Sequence, residues 1–217
     1  MSSSAAPAPP AARAVLLHGA ATTAAVWGPV LAHLGGITVL APERPSSGDL
    51  ETEVAWALPL VDGALVVGVG GGATLGLALA ARTDVRLSGA LLHEPAVGSL
   101  VPGLLAPMAE AYVSGGVPAF AATLYGPRWT ESLAPDDEAA VARDLAMFRA
   151  FEPAPVAAHH GRVVVTVGEL SPQIRHRAAT AAGELGALVE VVPGAGHFVH
   201  HEQPQRWAAL VRRDLLR

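Results

Sequence analysis

Six short runs of the chain are almost continuously apolar: Arg13–Leu17, Ile37–Ala41, Ala64–Gly68, Leu87–His93, Arg162–Val167 and Leu188–Val192. Runs of this length without polar alternation are expected of strands covered on both faces. Between them lie segments with apolar residues at helical spacing: Ala24–Leu34, Leu50–Val61, Ala73–Arg82, Gln173–Leu185 and Pro204–Leu216. In the last of these, Trp207, Leu210, Val211 and Leu215 share one face, with Arg206, Arg212, Arg213 and Asp214 elsewhere. The alternation predicts an α/β fold, a doubly wound, mainly parallel sheet of about six strands.

One stretch breaks the rhythm. Between Pro95 and Gly161 no strand pattern appears, only Pro-punctuated helical pieces such as Leu104–Val113 and Asp137–Phe151. An insertion between two strands of a parallel sheet is expected over their C-terminal edge, where α/β proteins bind ligands. Residues 95–161 are therefore expected to form a short helical lid on a single domain, 13–217. Met1–Ala12, rich in Ser, Ala and Pro, is expected to be a flexible arm. It lacks the charged start and long apolar run of a signal peptide, so a cytoplasmic location is expected. Ala64–Ala81 is apolar over nearly the length of a membrane span, but its glycines indicate a strand, a turn and a helix, and no membrane association is expected.

Composition narrows the classes. The chain has 217 residues, 51% of them hydrophobic and only 15% charged, which excludes disorder over most of its length. There is no Cys, so disulfides, Cys-based zinc sites and Cys nucleophiles are excluded. The net charge is −5 and the basic residues are all Arg, without a basic patch, so nucleic acid is not an expected partner. His200-His201 has no evident third ligand, and no metal or other cofactor is expected.

The loops after the strands carry the candidate chemistry. The first strand runs into His18-Gly19-Ala20, where a tight turn can aim backbone N–H groups at a developing oxyanion. The third runs into Gly68-Val69-Gly70-Gly71-Gly72-Ala73, a sharp strand-to-helix turn. That turn suits two machines. Gly68, Gly70 and Gly72 have the spacing of a nucleophile elbow, G-x-S-x-G, with Gly70 in the place of Ser. Gly68, Gly70 and Ala73 also fit a dinucleotide fingerprint, and Glu94 lies roughly 20–26 residues on, where a ribose-binding acid would stand. The fourth strand ends at His93-Glu94-Pro95, which sets a carboxylate at the functional edge. The sixth leads into Gly194-Ala195-Gly196-His197-Phe198, a Gly-flanked His placed to act as a general base.

Taken in order, His18-Gly19, the Gly68–Gly72 turn, Gly168-Glu169-x-Ser171-Pro172 and Gly194-x-Gly196-His197-Phe198…Glu202-x-Pro204 resemble the α/β-hydrolase superfamily over about Arg13 to Arg217. The resemblance implies a small member with a short lid. It implies oxyanion N–H groups from Ala20 and Gly71, and His197 as the catalytic His. Its usual acid position holds Ser171, so the role passes to Glu94, after the preceding strand. Its nucleophile position is Gly70, which has no side chain and cannot form an acyl-enzyme.

The expected function follows from what remains. A small, fairly apolar molecule would bind under the lid, with His18, Tyr112 and Trp129 as candidate pocket residues. His197, oriented by Glu94, would act as a general base in hydrolysis or in a lyase- or cyclase-type proton transfer. The alternatives are an inactive relative that binds a ligand or partner, and an NAD(P)-binding protein using the Gly turn.

Overall fold

The structure, a computed structural model, describes residues 12–217, so all but the last residue of the expected arm lies outside it. Six parallel strands form one sheet: β1 (Arg13–Leu17), β2 (Thr38–Leu40), β3 (Leu65–Val69), β4 (Gly89–His93), β5 (Arg162–Gly168) and β6 (Leu188–Val192). Their spatial order is β2-β1-β3-β4-β5-β6, and every neighbouring pair is parallel. The helices are α1 (Gly28–Leu31), α2 (Leu50–Val61), α3 (Gly71–Ala80), α4 (Ala106–Tyr125), α5 (Ala139–Ala150), α6 (Gln173–Glu184), α7 (Val199–Glu202) and α8 (Pro204–Leu215).

Successive strand residues point to opposite faces, so a sheet buried on both sides builds two cores. Ala14, Leu16, Leu65, Val67 and Leu91 face a core shared with Trp27, Phe198, Trp207 and Val211. Val15, Leu17, Val66, Ala90 and Leu92 face the other, shared with α2, α3 and α6 through Val54, Leu75 and Ala178. This explains the unbroken apolar runs of β1, β3, β4 and β5; β2 and β6, expected to be covered on both faces, are instead the edge strands and are largely exposed or half-buried.

The elements depart from expectation in three places. The helix expected over Ala24–Leu34 is a 3-10 turn, Ala24–Trp27, followed by the short α1, whose second residue is Pro29. Helix α3 begins two residues early, at Gly71, because the turn after β3 is completed by Gly70 alone. In the insertion, the first helix runs on to Tyr125 through a break at Gly115 and Gly116, where Gly116 adopts φ +63°. Among the described residues no helix is long and apolar enough to cross a membrane.

Candidate active site

The C-terminal ends of β1, β3, β4 and β6 bring four loops together. At the end of β3, Gly70 adopts φ +56° and ψ −116°, a conformation that L side chains rarely hold. The turn is also packed tightly. A Cβ on Gly72 would lie 1.8 Å from the Leu17 carbonyl oxygen, and one on Gly68 would lie 2.5 Å from Gly72. The Thr74 hydroxyl donates to the Gly70 carbonyl at 3.0 Å and accepts from Ala96 N–H at 2.8 Å, tying the turn to the loop after β4.

Glu94 follows β4 at φ +51°, a left-handed backbone on a non-glycine residue that costs of order 1–3 kcal/mol. Its N–H still donates to Thr166 O at 2.9 Å, as though the strand continued, while the side chain turns across the end of β5. One carboxylate oxygen accepts from Gly168 N–H at 2.9 Å and from the Ser171 hydroxyl. The other accepts from His197 Nδ1 at 2.7 Å. Ser171, at the usual acid position of the resemblance, thus hydrogen-bonds the Glu94 carboxylate.

Donation from Nδ1 leaves the His197 Nε2 lone pair free. Nε2 is buried and has no hydrogen-bond partner among the described residues. A Cβ on Gly70 would lie 2.9 Å from it. Burial, followed by the positive charge of Arg175, lowers the His197 pKa to about 4, so the ring is neutral at pH 7. Burial by itself would raise the Glu94 carboxyl. The neighbouring His93, the hydrogen bond from His197 and the charge of Arg175 outweigh it and hold the group well below the ordinary carboxylate range.

Ala20 and Gly71 both border the cavity at this corner. Among the described residues neither N–H has an intramolecular acceptor. Tyr125, from the end of α4, donates to the Ala20 carbonyl at 2.6 Å and sets its ring 5.7 Å from that of His197. A small apolar cavity of about 30 Å³ opens on the corner. It is lined by Ala20, Gly70, Gly71, Met108, Phe120, Phe148, Arg175 and His197. A groove of about 300 Å³ beside it shares Glu94, Met108, Leu124, Arg175 and His197 with the cavity.

Three candidate pocket residues do not line this cavity. His18 turns away, and its Nε2 accepts from Arg44 N–H at 3.1 Å. Trp129 donates its indole N–H to the Ala21 carbonyl at 2.9 Å and so holds the loop after β1. Tyr112 packs at the margin of the core. Nor is the Gly turn arranged as a dinucleotide site. Gly72 is pressed against β1, and the Glu94 carboxylate is taken by His197, Ser171 and Gly168 rather than left for a ribose.

Sequence patterning missed three participants. His93 is fully buried below the site; its Nε2 donates to Gly196 O at 3.0 Å and its Nδ1 accepts from the Thr166 hydroxyl at 2.9 Å. It therefore anchors the loop that carries His197. The available signal was a lone imidazole in an otherwise apolar strand. Tyr125 lay beyond the expected first helix of the insertion. Arg175 lies in the segment expected as a helix over Gln173–Leu185 and nothing in the pattern singles it out, yet it is buried against Glu94.

A parallel α/β sheet with a sharp strand-to-helix turn facing an acid-supported histidine defines a recognisable class. The sequence matches the alpha/beta hydrolase family over residues 14–210, and the chain belongs to that family. No curated protein is significantly similar in sequence. Among solved structures, the enol-lactonase from Burkholderia xenovorans LB400 is similar with a TM-score of 0.73 and 21% identity, over 96% of this chain and 93% of that one. MenH from S. aureus is similar with a TM-score of 0.73 and 14% identity, over 97% and 96%. Carboxylesterase CesB from Bacillus subtilis is similar with a TM-score of 0.64 and 19% identity, over 96% and 85%. At these identities the likeness is one of fold.

Proposed function

We propose that this chain acts on a small, largely apolar ester or lactone, with His197 as general base and no covalent nucleophile. The observation that carries the proposal is the buried, unpartnered Nε2 of His197, aimed at a glycine corner and opening on an apolar cavity. Burial without a partner costs free energy, and a group bound at the Gly70 corner would complete this atom. The names of the structurally similar enol-lactonase and carboxylesterase are in keeping with this substrate class.

Water at the Gly70 corner gives a proton to Nε2 as its oxygen bonds to the substrate carbonyl carbon. The carbonyl oxygen takes the negative charge and is held by the Ala20 and Gly71 N–H groups. Collapse of this intermediate breaks the carbon–oxygen bond to the leaving alkoxide, which takes the proton from the imidazolium. Glu94 remains ionised, fixes the tautomer and stabilises the transient cation. General-base catalysis of this kind contributes about 10²–10⁴-fold. On a substrate with an acidic C–H, the same base would instead serve elimination or cyclisation. The cavity holds about two waters, so the α4–α5 insertion acts as a lid that moves to admit substrate.

The test is turnover across a panel of short-chain esters and lactones, followed by His197→Ala. The expected result is activity that falls at least 100-fold in the variant, with no acyl-enzyme detected by mass spectrometry. Undiminished activity in His197→Ala would sink the mechanism. Absence of turnover across the panel would leave the fold as a ligand-binding one.

A further inference from the structure

Among the described residues two arginines are buried, Arg44 and Arg175, each only 6% exposed. They are satisfied very differently. Arg44 donates to Glu53 at 3.1 Å, to Asp144 at 2.6 Å and to the His18 carbonyl at 2.9 Å. Its guanidinium is a closed structural knot.

Arg175, on α6, has no such set. Its Nη1 reaches the Glu94 carbonyl only at 3.4 Å, and its Nε stands 3.6 Å from the nearer Glu94 carboxylate oxygen. Charge-assisted hydrogen bonds are normally about 2.7–2.9 Å long. The carboxylate is already committed to closer donors: Gly168, Ser171 and His197. No other acceptor among the described residues is within hydrogen-bond distance of the guanidinium. The side chain is 7% exposed where it borders the cavity and the groove, so its unpaired N–H groups are open to a bound group.

Its place in the fold indicates what does so. Arg175 lines both the cavity at the Gly70 corner and the adjoining groove, so a molecule passing from one to the other meets it. The rest of that path is largely apolar, with Met108 and Leu124 common to both spaces. An apolar passage with one under-bonded guanidinium suits a molecule with an apolar body and one planar anion. A carboxylate matches the fork of the guanidinium in two parallel hydrogen bonds.

We propose that Arg175 is a substrate-recognition residue and that the substrate carries a free carboxylate in addition to its reacting group. The carboxylate pairs with the outward edge of Arg175 while the reacting carbonyl lies at Gly70, an assignment of ends that rests on His197 being the base. Glu94 does not use up the guanidinium, because its oxygens take their closer hydrogen bonds from three other donors and Arg175 stands 3.6 Å away.

The experiment is a comparison of hexanoate with hexanamide, two probes alike except for charge, by protein-observed NMR titration. The wild-type protein is expected to bind hexanoate at least ten-fold more tightly. Arg175→Met should abolish the preference while leaving hexanamide within two-fold, and His197→Ala should retain it. Equal wild-type affinity for the two probes overturns the proposal, as does equal weakening of both in Arg175→Met. Should that variant melt below the assay temperature, Arg175→Lys decides: a surviving preference of three-fold or more supports carboxylate recognition, and its loss overturns it. The outcomes separate from those for hydrolysis. A carboxylate preference without ester turnover upholds Arg175 and removes the hydrolytic mechanism, whereas turnover without a preference does the reverse.

Discussion

Nε2 of His197 lies 2.9 Å from the point that a Cβ on Gly70 would occupy. A side chain at position 70 would thus reach the base directly, and its backbone already holds φ +56°. Gly70→Ser is expected to create a nucleophile within reach of His197. The imidazole must shift to admit the Cβ, and the strained backbone costs of order 1–3 kcal/mol. Gain of esterase activity, with labelling of Ser at position 70 by an organophosphonate, checks this. A folded variant that resists the probe would show that the corner is no longer competent.

Glu94→Gln keeps the shape of the acid and removes its charge. Nδ1 of His197 then loses its ionic acceptor, and the tautomer with a free Nε2 is no longer enforced. Turnover is expected to fall about 10²–10⁴-fold. The change should appear in kcat more than in KM, since the carboxylate stabilises a charge that forms only during reaction.

Acid should weaken both activity and fold. The His197 pKa lies near 4 when folded, against an ordinary value of 6.5, so between these values the unfolded chain binds more protons. Stability therefore declines as pH falls from 6.5 toward 4, by on the order of 1–3 kcal/mol from this residue alone. Burial depresses His93 and His200 as well, in the same direction. Urea midpoints measured from pH 7 to pH 4 should fall steadily. The acid limb of kcat/KM should lie near pH 4 rather than 6.5, because that profile reports the free-enzyme base.

Arg44 links four parts of the chain: the loop after β2, helix α2 through Glu53, α5 through Asp144 and the loop after β1 through the His18 carbonyl. Arg44→Met leaves two carboxylates buried without their cation. Loss of about 3–5 kcal/mol is expected, read as a lowered urea midpoint. The insertion should loosen first, so amide exchange on α5 should speed up more than exchange in β3.

His93→Leu tests the support below the site. It strands the Gly196 carbonyl and the Thr166 hydroxyl, at about 1–3 kcal/mol for each group left unpaired. Activity is expected to fall through loss of His197 alignment, and the wild-type protein gives the reference Nε2 chemical shift. An unchanged His197 shift and unchanged activity would show that the loop holds its shape without this anchor.

Much of this was open to a reader of the sequence. Strand β1 and helix α2 have the expected bounds, because a doubly covered strand and an amphipathic helix each leave a local pattern; β6 has them too, although as an edge strand it is largely exposed. His197, Glu94 and Gly70 stood out because each occupies the loop after a strand, and such loops meet at one edge of a parallel sheet. The aromatic residues of the insertion were less legible. Tyr112 and Trp129 have the same composition cues as Phe120 and Phe148, and only packing separates those that line the cavity from those that do not.

By itself, then, the sequence determined the α/β alternation, the residues at the strand ends and the absence of a side chain at Gly70. These follow from backbone periodicity and residue chemistry, which act over a few neighbouring positions. Tertiary structure decided the partnerships. Glu94 meets His197 across 103 positions, Ser171 across 77 and Arg175 across 81. Such pairings exist only once the sheet has closed. The contrast between Arg44 and Arg175 has the same origin: the fold seals the Arg44 side chain among its acceptors and leaves that of Arg175 slightly open beside the cavity.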